Sequence, residues 1–199
     1  MAVEIHPIKL MGNWDVGYAL DQHVLSSDFL GEDPFGGPVF DNKYSEIGEL
    51  LKNYKYRGRR DLLPEIVSTI ILFLQEHPEM ADFETIIPVP PSKPREYQPT
   101  LEICESLAES LRKYFLSDIL VKESEVESKN LSVEEKRLLY GTIHQNKFAK
   151  RRHSVLLVDD LYKTGTTLNE CVRVLRGDPL IDKIFVLAIT KTKNTNYSH

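Results

Sequence analysis

Between Ser154 and Leu168 the chain reads S-V-L-L-V-D-D-L-Y-K-T-G-T-T-L. Val155 to Val158 form an apolar run with no alternation, the pattern of a strand covered on both faces, as in a parallel sheet flanked by helices. Two adjacent carboxylates, Asp159 and Asp160, follow the run, and then a short loop with Gly165 among three threonines. Leu168, Cys171, Val172 and Leu175 next recur at helical spacing. The segment therefore predicts a buried strand, a tight turn and an amphipathic helix.

The rest of the chain agrees with an alternating architecture. Ile47, Leu50, Leu51 and Tyr54 predict a helix over 44–56, and a second helix runs from Leu63 to Glu76 with Pro64 in its first turn and Pro78 after its end. Residues 85–90 read as a short buried strand. Leu101, Cys104, Leu107, Ala108, Leu111 and Phe115 mark one helical stripe. Strands are expected at 118–122 and 183–190, and a short helix at 132–139 with Ser132 and Glu135 as a capping box. Residues 1–42 are rich in Gly, Pro and Asp and lack helical period. Trp14, Val16, Tyr18 and Leu20 alternate like a half-buried strand, and the region reads as a small N-terminal cap or hood. The expected fold is α/β, a doubly wound and mostly parallel sheet. Its divisions are a cap at 1–42, the main domain at 43–190 and a polar tail at 191–199. Such sheets bind ligands at the carboxyl ends of their strands.

Charge and cysteine content narrow the function classes. Lys plus Arg is 25 against 30 Asp plus Glu, a formal net charge of −5. That balance argues against nucleic acid as a direct partner, since there is no cation excess to displace phosphate counterions. The two cysteines, Cys104 and Cys171, lie on apolar helical stripes and read as core fillers. The six histidines are scattered without metal-ligand spacing. With no signal peptide and no apolar run of membrane length, a cytoplasmic protein without a membrane partner is expected.

Each part of the 155–168 segment has a chemical use. A helix N-terminus presents unpaired amides and the positive end of the helix dipole, which suits a phosphate. Gly165 lets the backbone approach an anion, and Thr164, Thr166 and Thr167 add hydroxyl donors. Asp159 and Asp160 can only accept hydrogen bonds when ionised, and the vicinal hydroxyls of a ribose supply two donors. Together they describe a cradle for ribose 5-phosphate. No dinucleotide fingerprint (GxGxxG) and no P-loop motif (GxxxxGK[ST]) occurs.

The string VLLVDDLYKTGTTL resembles the phosphoribosyl-pyrophosphate (PRPP) signature of type I phosphoribosyltransferases. IGELLKNYKYRGRRDL (47–62), IIPVPPSKPREYQPTLEICESLAESL (86–111) and NLSVEEKRLLYGTI (130–143) resemble segments of the ComF-like members of that group. The resemblance spans roughly residues 43–190. It implies that Asp159 and Asp160 hold the ribose hydroxyls, and that Thr164, Gly165, Thr166 and Thr167 hold the 5′-phosphate. Pro91, Ser92 and Lys93 would face the pyrophosphate, and 123–147 would form a lid. Mg²⁺ would enter bound with PRPP, and Lys93 and Lys163 would help stabilise the leaving pyrophosphate. The implied reaction transfers phosphoribosyl from PRPP to an unidentified nitrogenous acceptor. Three features depart from the pattern: Lys163 stands where a small residue or an acid is usual, Tyr162 where an aliphatic residue is usual, and the zinc-ribbon cysteines are missing. The alternative is a non-catalytic PRPP or nucleotide sensor, or an accessory protein in DNA uptake. Oligomeric state is left open, a homodimer among the options.

Overall fold

The computed structural model describes residues 2–91, 97–122 and 143–193. A six-stranded sheet runs through the molecule in the order β1-β2-β10-β9-β5-β6, formed by β1 (Ile8–Lys9), β2 (Val16–Gln22), β10 (Ile181–Lys191), β9 (His153–Tyr162), β5 (Thr85–Pro88) and β6 (Tyr114–Phe115). Only the β1–β2 pairing is antiparallel; the other four are parallel. Two antiparallel pairs stand beside this sheet: β3 (Val24–Glu32) with β4 (Pro38–Tyr44), and β7 (Leu120–Lys122) with β8 (Ile143–Gln145).

The central strands explain the unalternated run. Successive side chains of a strand point to opposite faces. Leu156 and Val158 enter the core shared with α1 (Glu46–Tyr56), α2 (Leu63–Glu76) and α3 (Pro99–Leu111). Val155 and Leu157 enter the opposite core, with Leu168, Cys171, Val172 and Leu175 of α4 (Thr166–Leu175). Every residue from Val155 to Val158 is fully buried because both faces are covered. Cys104 and Cys171 are buried in these two cores, as their stripes predict.

Helix boundaries follow local chemistry. Ser45 caps α1, its hydroxyl accepting from the Gly48 amide at 3.1 Å. Pro64 occupies the first turn of α2. At the end of α3, Arg112 adopts a left-handed backbone (φ 53°). The helix therefore stops there and the chain re-enters the sheet at β6. Phe115, expected on the α3 stripe, is instead a strand residue beside Ile86.

Part of the stretch 1–42, expected as a cap or hood, enters the main sheet. β2 pairs in parallel with β10, Val16 opposite Phe185 through Gln22 opposite Lys191. The run Ile184–Ile189 is buried throughout, and β2 pairs along its outer side with Ala19, Leu20 and Asp21 buried in succession, Leu20 in one core and Ala19 in the other. Only the β3–β4 hairpin stands apart, with Phe29, Leu30, Phe35 and Phe40 exposed. The strand near 118–122 also exists, but it pairs with β8 rather than joining the main sheet. The expected helix at 132–139 and most of the expected lid lie outside the described residues, as do residues 194–199 of the tail. No helix among the described residues is long and apolar enough to cross a membrane.

Candidate functional site

The order of connections creates a crevice. From β5 the chain passes through α3 to β6, moving outward to one side; from β9 it passes through α4 to β10, moving the other way. β5 and β9 are neighbours, so the loops leaving their carboxyl ends diverge at a switch point, the place where α/β sheets open a ligand crevice. A cleft of about 530 Å³ lies there. Val89, Pro90 and Pro91 line it from the β5 side, Asp159 to Leu168 from the β9 side, and Lys55, Tyr56, Thr100 and Leu101 from the helical face.

The residues singled out from the sequence converge on this one hollow. Asp159, Asp160, Lys163, Thr164, Gly165, Thr166 and Thr167 all line it, and Pro91 faces them across it. Ser92 and Lys93 lie outside the described residues. Strand β9 runs four residues beyond Val158 to Tyr162, so both aspartates belong to the strand itself. They are fixed by pairing with β10 (Ala188 opposite Asp159), a firmer mounting than a loop.

Gly165 is the N-cap of α4 and takes φ 77°, a left-handed conformation natural to glycine. A Cβ there would also lie 2.6 Å from the Tyr162 Oη, so the phenol ring would have to shift to admit one. Tyr162, one of the departures from the signature, thus packs on the turn. The Asn169 amide donates to the Gly165 carbonyl at 2.8 Å, closing the first helical hydrogen bond. Helix geometry leaves the amides of 166–168 without an intrahelical acceptor. The Thr164 and Thr166 hydroxyls lie 2.9 Å apart and exposed at the mouth, and Lys163 is exposed beside them.

The two acids sit in different environments. Burial, followed by the neighbouring Asp160 charge, pushes the Asp159 carboxyl up to about 7. One of its oxygens accepts from the Asp160 amide at 2.8 Å. Asp160 instead meets two donors on one oxygen: the Lys55 ammonium at 2.6 Å and the Thr100 hydroxyl at 3.2 Å. Lys55 and Thr100 are functional candidates that sequence reasoning did not pick. Lys55 stood within a run of basic residues at the end of α1, and only its reach across to β9 distinguishes it. Arg59 from that run pairs with Asp61 at the surface. Arg151 and Arg152, in the basic stretch that also holds Lys147 and Lys150, pair with Glu84 and Asp182.

Trp14, Tyr18 and Phe35 do not line the cleft. Trp14 is buried, its indole donating to the Leu10 carbonyl at 3.1 Å. Tyr18 packs edge-on against Phe73, and Phe35 lies exposed in the β3–β4 turn.

Among the described residues no three His, Cys, Asp or Glu side chains gather where they could hold a metal ion. The cleft's two acids are already engaged, one by the strand backbone and one by Lys55 and Thr100. This donor set does not suit a resident metal ion held by the protein alone.

No protein-family model matches the chain, and no curated protein matches it. Solved structures of similar fold include an adenine phosphoribosyltransferase, at 16% identity and a TM-score of 0.44 over 82% of this chain and 85% of that one. The orotate phosphoribosyltransferase of Aeropyrum pernix is 16% identical, with a TM-score of 0.46 over 85% and 76% of the two chains. The adenine phosphoribosyltransferase of Saccharomyces cerevisiae is 16% identical, with a TM-score of 0.43 over 82% and 84%. What the cleft binds is read from its own side chains.

Proposed function

We propose that the cleft binds PRPP and that the chain is a phosphoribosyltransferase, moving the phosphoribosyl group to a nitrogenous acceptor. One observation carries this reading: twin aspartates on a strand end and, six residues on, a glycine turn at a helix N-terminus open into the same hollow at the sheet's switch point. The resemblance of 155–168 to the PRPP signature supports it, and the resemblance of 47–62, 86–111 and 130–143 to ComF-like segments is the ground for the finer reading, a ComF-like member.

In this reading the amides at the start of α4 and the hydroxyls of Thr164, Thr166 and Thr167 donate to the 5′-phosphate. Asp159 and Asp160 accept from the ribose 2′- and 3′-hydroxyls and so fix the ring. At the anomeric carbon the bond to the diphosphate oxygen breaks, and its electron pair leaves with the diphosphate. A bond from the acceptor nitrogen forms in its place. The carboxylates lie close to a ring that gains positive charge as the leaving group departs, a stabilisation that grows toward the transition state. Mg²⁺ belongs to the substrate here, arriving on the diphosphate and neutralising part of its charge. Pro91 marks the diphosphate side, where Ser92 and Lys93 follow in the sequence.

The test is calorimetric titration with PRPP in Mg²⁺ buffer, comparing wild type with Asp159→Asn and Asp160→Asn, followed by an assay for pyrophosphate release with candidate bases. Binding lost in both variants supports the reading; undiminished binding in both refutes the site. A second reading, a PRPP sensor without turnover, is favoured by Lys163, a cation where a small residue or an acid is usual in the signature, and by Tyr162, where an aliphatic residue is usual. Tight binding with no pyrophosphate release for any acceptor would select it.

A further inference from the structure

The Lys55–Asp160 pair has no counterpart in the ribose-phosphate cradle read from the sequence. Its two side chains are 12% and 22% exposed, and the ammonium reaches from α1 across to β9 to make it. α1 does not need this contact to dock, since Ile47, Leu51 and Tyr54 anchor it in the core. Lys55 lies in the last turn of α1, where unpaired carbonyls favour a cation. It and Lys163 are the two cations lining the cleft among the described residues, and they stand on different walls. Lys163 belongs to the phosphate turn. Lys55 faces from the helical wall, beside Tyr56 and Thr100.

We infer that Lys55 is a ligand-binding residue held in reserve: Asp160 holds its ammonium and releases it to the diphosphate when ribose hydroxyls engage the carboxylate. This rests on the phosphoribosyl reading above. Three features make the exchange physically balanced. The flexible four-carbon stem lets the Nζ swing while α1 stays docked, which the planar fork of an arginine would resist. Thr100 keeps its bond to the same Asp160 oxygen, so the carboxylate retains a partner after Lys55 leaves. The incoming hydroxyls then replace the lost donor, and the ammonium passes from one anion to another without being left bare in the cleft.

The experiment measures dissociation constants of ribose 5-phosphate, inorganic diphosphate and PRPP for wild type, Lys55→Met and Lys55→Gln, with thermal unfolding as a check on folding. A transferred cation predicts that both variants weaken PRPP by about tenfold or more, the worth of a charge-assisted bond. Ribose 5-phosphate, which has no diphosphate, and inorganic diphosphate, which has no ribose hydroxyls to free the ammonium, should each change by less than about threefold by the same arithmetic. Equal weakening of all three ligands would mean that Lys55 only braces Asp160, and would overturn the inference while leaving the cradle standing. Unchanged PRPP affinity, or a loss of inorganic diphosphate affinity as large as that of PRPP, would overturn it too. If wild type bound neither ribose 5-phosphate nor PRPP, the phosphoribosyl reading would fail first, and the inference with it. Should one variant fold poorly, the other supplies the comparison.

Discussion

Replacing Asp159 with Asn should make the protein more stable in neutral and alkaline buffer while abolishing its ligand binding. The carboxyl is raised from 3.8 to about 7 by burial and by the Asp160 charge. In the unfolded chain it titrates near its ordinary value. Because the folded pKa is the higher one, the native state holds the proton more tightly. Asp159 therefore imposes no charge-burial cost below about pH 4. As pH rises through the interval to about 7 the cost grows, and above that it is constant. A shift of roughly three units at 1.36 kcal/mol each gives a ceiling of about 4 kcal/mol. Asparagine is nearly isosteric and its carbonyl oxygen can keep the 2.8 Å bond from the Asp160 amide. The gain at pH 8 should thus approach that ceiling, and for a chain of this size each kcal/mol raises Tm by about 2–4 °C. The assay is urea unfolding of wild type and Asp159→Asn at half-unit steps from pH 4.5 to 8.5. The difference in unfolding free energy should be small at the acid end and rise toward pH 7. A difference that is flat across this range, or Asn less stable at pH 8, would refute the claim that the site buries charge at a cost to the fold.

Three other outcomes are expected. Gly165→Ala should destabilise by about 2–3 kcal/mol in chemical unfolding, since it forces a left-handed alanine and sets a Cβ against Tyr162. In a Tyr162→Ala background the steric part should vanish and about 1–2 kcal/mol remain, which a double-mutant cycle would resolve. Cys104 and Cys171 should stay unreactive toward a thiol reagent at pH 8 until the protein unfolds, because burial raises both thiols, Cys171 to about 12. Labelling in the folded state at the rate of a free thiol would contradict the two-core packing. Leu156→Ala should cost about 2–5 kcal/mol, measured by the same unfolding assay, as a fully buried side chain in the central strand.

Much of the fold was legible because local pattern and tertiary role coincide. The apolar run 155–158 announced burial on two faces, and Pro64 marked a helix start by chemistry that acts within a few residues. The errors occurred where a distant segment decides. Phe115 fits the helical period of α3, but the left-handed turn at Arg112 hands it to the sheet. Residues 16–22 show a half-buried alternation that is silent about which strand they will join, and β10, some 170 positions later, claims them by parallel pairing.

The site divides along the same line. The order acid–acid–loop–glycine–helix is local, so a cradle for a phosphate and a diol could be inferred from one short string, since turn geometry and helix polarity depend on adjacent residues. The hollow itself comes from β5 and β9 sending their helices to opposite sides, a property of chain topology that no window of sequence contains. The charge state of Asp159 and the meeting of Lys55 with Asp160 likewise follow from burial and from a contact across 105 positions. Electrostatics depends on what packs nearby in space, and for these groups the neighbours are brought in by the fold.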